Sequence, residues 1–72
     1  MIVLKNKDIP GVIAKISGIL AQNEINIADF RLGRDGSGYA LAVILVDEKI
    51  NKALLDELNA LEACVYAHYA EL

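Results

Sequence analysis

Two apolar stripes at helical spacing restrict this chain more than any other feature. Val12, Ile13, Ile16, Ile19 and Leu20 form the first; Ile50, Leu54, Leu58 and Leu61 form the second, widened by Ala53 and Leu55. Recurrence every three or four residues sets each group on one side of a helix. Short strand-like runs flank both stripes. Two helices with one apolar side each cannot enclose each other and also cover both faces of a sheet. The pattern therefore predicts both helices together on a single sheet face.

The strands follow from the runs between. Met1 to Asn6 is apolar and then polar, as in a buried strand. Pro10 suits the first turn of a helix and disfavours helix at Ile9, so the first helix is expected from about Pro10. Ser17 and Gly18 are small enough to let a neighbour come close, and Asn23 is the expected stop. Ile25 to Arg34 reads as a strand with Ala28, Phe30 and Leu32 on one side and Asp29 and Arg31 on the other. Ile25 and Ile27 break that parity, which predicts a bulge or a strand covered on both sides. Arg34-Asp35-Gly36-Ser37-Gly38 is a hairpin turn leading into Tyr39 to Val46, apolar throughout and suited to a central strand. Asp47 is placed to cap the second helix, and Ala63 to Leu72 completes the strands. The order is βαββαβ. This is an α+β, ferredoxin-like fold with a four-stranded antiparallel sheet and two helices on one face. Val12, Ile16, Leu20, Ile27, Leu41, Val43, Leu54, Leu58 and Val65 are the expected core.

Composition excludes several functions. With 72 residues there is room for one domain, spanning 1–72. A fold of this size buries only about 60% of its unfolded surface, and 56% of the residues are hydrophobic. Self-association is therefore expected, as a homodimer with the first helix and first strand near its seam. Ten acidic against seven basic side chains give a net charge of −3, unsuited to a nucleic-acid backbone. One cysteine and one histidine allow no disulfide and no zinc site of paired cysteines. The N-terminus lacks the pattern of a signal peptide, and the longest uncharged run, Gly36 to Val46, falls well short of the ~20 residues of a membrane span. The expected location is the cytoplasm.

The chemistry concentrates in Asn6-Lys7-Asp8-Ile9-Pro10-Gly11-Val12. First-turn N–H groups of a helix form an anion site, and glycine there lets a ligand reach the backbone. Asp8 supplies a carboxylate and Asn6 an amide beside it. Donors for a carboxylate next to acceptors for an ammonium suit a free amino acid. Asn26, at the start of the second strand, adds a further donor and acceptor. The plainer reading of the same residues is a capped helix start and a turn.

Asp8-Ile9-Pro10-Gly11-Val12-Ile13 together with Ile25-Asn26-Ile27-Ala28 resembles the signature of the ACT domain, a regulatory module that binds small molecules. The resemblance covers the entire chain. Asn26-Ile27-Ala28-Asp29-Phe30-Arg31-Leu32-Gly33-Arg34 is similar, more narrowly, to the C-terminal regulatory domains of D-3-phosphoglycerate dehydrogenases. The domain of iron–sulfur L-serine dehydratases is the nearest alternative. The resemblance implies a non-catalytic domain cut from a longer enzyme whose catalytic domain takes NAD, with no cofactor in this domain. It further implies two copies paired side by side, with L-serine at the seam as a feedback inhibitor. Asn6, Asp8, Gly11 and Val12 would come from one subunit and Asn26 from its partner. Some serine-sensitive members have histidine in place of Asn6 and asparagine in place of Asp8, so this chain departs from that pattern at both.

Other residues read as structural. His68 has no partner for catalysis and belongs to a sheet surface, and Tyr39 and Tyr66 suit packing or an interface. Cys64 is a small apolar filler. Arg31, Arg34, Asp29 and Asp35 form a solvated charge pattern by the hairpin or position a domain neighbour. An RNA-binding reading of this strand order needs central-strand aromatics with basic neighbours, and Gly38 to Ile44 has only Tyr39. A metal chaperone of this fold needs a Cys-x-x-Cys loop that is absent, and no nucleophile–base or paired-acid set supports an enzyme. A dimerisation module without ligand is the remaining competitor.

Overall fold

The elements follow the predicted order: β1 (Ile2–Lys7), α1 (Val12–Gln22), β2 (Ile27–Arg34), β3 (Tyr39–Val46), α2 (Lys52–Asn59) and β4 (Cys64–Tyr69). The computed structural model describes residues 1–71, so Leu72, the end of the last predicted strand, lies outside it. The four strands form one antiparallel sheet in the order β2-β3-β1-β4. No helix among the described residues is long and apolar enough to cross a membrane.

Local chemistry sets the helix ends. Gly11 caps α1 at φ 87°, a left-handed conformation that glycine adopts without strain, and no side chain caps this end. Asn23 closes the helix, its Nδ2 donating to the Ile19 carbonyl at 2.8 Å. α2 begins later than expected. Its cap is Asn51, whose Oδ1 accepts from the Leu54 N–H at 2.9 Å, and not Asp47. The Asp47 N–H is bonded to the Asn26 carbonyl at 3.1 Å, and the Glu48 carboxylate accepts the Asn26 N–H at 3.0 Å. That segment is tied to the start of β2, and helix cannot begin within it.

Val12, Ile16 and Leu20 of α1 and Leu54 and Leu58 of α2 pack on Ile2, Leu4, Ala42, Ile44 and Ala67 of the sheet. Five of the nine expected core residues are there; the four sheet positions are not. Leu41 is 43% and Val65 50% exposed, Ile27 is 38% exposed, and Val43 is half-buried. On β3 every residue is apolar, so alternation carries no face. Pairing with β1 decides it: Leu4 lies opposite Ala42 and Ile2 opposite Ile44, turning Leu41 and Val43 away from the helices. Between Lys5–Tyr66 and Asn6–Cys64 the β1–β4 register slips, leaving Val65 as the bulged residue. The parity break in β2 is likewise a register shift, between Ile27 and Asp29.

Two features of the single subunit bear on how it could pair. β1 lies between β3 and β4, so it cannot meet another subunit edge to edge. A Cβ built on Gly18 would find nothing within 4 Å, so no neighbour within the subunit uses its small size.

Candidate functional site

The loop from Asp8 to Gly11 joins β1 to α1 at one end of the sheet. The Asp8 N–H donates to the Gly38 carbonyl at 2.9 Å, which anchors this loop to the β2–β3 hairpin. The Lys7 N–H donates to the Ala63 carbonyl at 2.7 Å, which anchors it on the other side to β4. Between these ties, the N-terminus of α1 has no side-chain cap and no acidic residue in its first turn. Its first N–H groups therefore have no partner within the helix and present the positive end of the helix dipole. A Cβ on Gly11 would meet nothing within 4 Å, so the surface above this backbone is open. A hollow of about 190 Å³ lies beside it, lined by Lys7, Ile9 to Val12, Lys15 and Leu61 to Ala63.

Each expected site residue has a distinct setting. Asp8 is exposed on the loop, and its Oδ1 accepts from Arg34 Nε at 3.1 Å. Asn6 points into the helix-covered side and is only 2% exposed; its Nδ2 donates to the Lys7 carbonyl at 2.8 Å and its Oδ1 has no partner among the described residues. Val12 is buried in the core, so only its backbone N–H can serve the helix terminus. Asn26 is exposed, and its backbone is bonded on both sides to Asp47 and Glu48.

Asp8 and Gly11 thus share one loop, with Asn6 beneath them. Asn26 does not join them within a subunit. It precedes Ile27, whereas Asp8 contacts Arg34 at the far end of β2, roughly 25 Å away at about 3.3 Å per residue.

Arg34 lies at the hairpin as expected, but its partner there is one the sequence does not show. β2–β3 pairing sets it opposite Ala40, at the end of the sheet where the β1–α1 loop meets the hairpin. A contact between positions 26 apart leaves no periodic trace. Asp29 and Arg31 do form an exposed pair at 3.0 Å, which holds the Asp29 carboxyl below its usual range. Hydrogen bonds from Ser37 do the same for Asp35. Tyr66 and His68 face away from the helices with ring centroids 5.0 Å apart, and Lys5 Nζ lies 5.2 Å from the Tyr39 ring. Cys64 is half-buried, and burial pushes its thiol upward.

The fold and this loop define a ferredoxin-like domain with an open, uncapped helix terminus on a loop that also carries a carboxylate. Residues 1–63 match the ACT domain family, and the chain belongs to it; ACT domains are regulatory and not catalytic. Over 99% of its length the chain is 35% identical to D-3-phosphoglycerate dehydrogenase of Archaeoglobus fulgidus, of which it spans 14%. It is thus an ACT regulatory domain related to a phosphoglycerate dehydrogenase. The C-terminal domain of the MgtC protein from Mycobacterium tuberculosis shares the fold, with a TM-score of 0.62 over 93% of this chain and 79% of that one, at 17% identity.

Proposed function

We propose that this chain is the serine-sensing domain of a D-3-phosphoglycerate dehydrogenase, binding L-serine between two paired copies to inhibit serine synthesis. The observation that carries this reading is the Asp8–Gly11 loop: an exposed carboxylate for an ammonium beside an uncapped helix terminus for a carboxylate. The 35% identity to the Archaeoglobus fulgidus enzyme favours a dehydrogenase parent over a serine dehydratase. NAD would belong to the parent's catalytic domain, in the cytoplasm.

Pairing through β2 supports the shared site. β2 is an edge strand, so its outer side is open to extend the sheet, with the Phe30 N–H held by Asp29 Oδ1 at 2.9 Å in the single subunit. An antiparallel, two-fold pairing of two β2 strands lays the start of one strand, at Ile27 of the partner subunit, alongside the end of the other, at Arg34. Asn26 of the partner subunit then arrives beside Asp8. The same operation gathers two exposed apolar residues, Ile9 of the loop and the partner's Ile27, which lie at opposite ends of one subunit. Ligand that bridges the two copies favours the paired arrangement, and that preference is what a catalytic domain would read as inhibition.

Calorimetric titration of L-serine, glycine and L-alanine tests the reading. L-serine is expected to bind, and Asp8→Ala to weaken it by one to two orders of magnitude, since a charge-assisted bond contributes about 1.5–3 kcal/mol. Asn26→Ala is expected to weaken it as well, with an unchanged circular dichroism spectrum. If none of the three ligands binds at millimolar concentration, the sensor reading fails and the ligand-free dimerisation module replaces it.

A further inference from the structure

We propose that Arg34 is the selectivity residue of this site: its guanidinium receives the ligand's α-carboxylate while holding Asp8 in place for the α-ammonium. This rests on the reading that the Asp8–Gly11 loop takes a free amino acid.

The geometry starts from a single contact. Arg34 Nε donates to Asp8 Oδ1 at 3.1 Å, across 26 positions of sequence and between two separate elements, the end of β2 and the β1–α1 loop. Only Nε is engaged; the two Nη nitrogens have no hydrogen-bond partner among the described residues. Both side chains are substantially solvent-exposed, and a one-bond exposed pair adds little to stability. What the pair does is place a carboxylate and a half-free guanidinium side by side, the carboxylate on the loop that leads into the uncapped start of α1.

That arrangement complements a zwitterion. An α-amino acid carries its ammonium and carboxylate on one carbon, so the two charges can meet Asp8 and Arg34 head to tail. A helix terminus alone accepts any anion, and a lone carboxylate accepts any amine. The paired charges reject both kinds of half-ligand. An amine without a carboxylate must lie against the Arg34 cation, and a hydroxy acid without an amine must lie against the Asp8 anion. The planar fork of arginine also sets the carboxylate's orientation, which an ammonium would not. In the β2-paired dimer Arg34 lies alongside the strand start at Ile27 of the partner subunit, so the selecting pair lies at the seam itself.

The test is a titration of L-serine, ethanolamine and D-glycerate into the chain and into Arg34→Gln and Arg34→Lys, with the oligomeric state of each followed by sedimentation. In the unaltered chain L-serine is expected to bind at least about tenfold tighter than either half-ligand. Arg34→Gln is expected to weaken L-serine by roughly ten- to a hundredfold, to leave ethanolamine unchanged or tighter, and to leave the dimer intact. Arg34→Lys, which keeps the charge and loses the fork, is expected to fall between. Arg34→Gln that binds L-serine within twofold of the original overturns the proposal. So does an equal loss for L-serine and ethanolamine, which would make Arg34 a structural support only. If the unaltered chain binds no amino acid, the underlying sensor reading has failed, a result separable from both.

Discussion

The two faces of the sheet are made from equally apolar strands and have opposite fates. On one face Ile2, Leu4, Ala42, Ile44 and Ala67 are sealed under α1 and α2. On the other, Tyr39 and Leu41 stay exposed around Lys5, although they alternate with buried Ala40 and Ala42 along the same strand. Apolar character therefore does not decide burial here. Cover does. The covered face sets Ala40, Ala42 and Ala67 among Ile2, Leu4 and Ile44, and the bare face carries the polar tips of Tyr39, Tyr66 and His68.

Truncation under the helices is the sharpest way to break the comparison. Leu54 is 2% exposed in the core, and Leu54→Ala should lower the unfolding free energy by about 2–5 kcal/mol in urea titration. A smaller effect, confined by pH, belongs to Cys64 at the margin of the covered face. Burial raises its folded-state pKa above the ordinary thiol value of 9.0, so folding favours the neutral thiol. The folded state then binds more protons than the unfolded one above that value, and stability is lost as pH rises through the folded pKa. Urea midpoints of the native chain should accordingly fall on the alkaline side of pH 9.0, and Cys64→Ala should remove that part of the decline. The least change is expected on the bare face, where Leu41→Thr should stay within about 0.5 kcal/mol. A loss there as large as that of Leu54→Ala would mean that a partner covers this face in solution.

Helical periodicity is a local signal, which is why both helices, their buried stripes and the element order are legible in the sequence. Asp8, Gly11 and the open helix start are legible for the same reason, since proline and glycine punctuate the chain within a few residues. Strand faces are not. Tyr39 to Val46 has no polar residue to mark a side, and a one-residue difference in register exchanges Leu41 for Ala42 in the core. The bulge at Val65 and the delayed start of α2 likewise depend on hydrogen bonds to distant segments. At the site, the sequence names the groups that suit an amino acid, but not their company. Arg34 reaches Asp8 only because two loops are brought to one end of the sheet, while Asn26 is carried to the other. Composition and spacing determine which elements form, because those choices are made within a few residues of chain; pairing register and the closure of loops on one another determine which faces and charges meet, and only the folded sheet sets those.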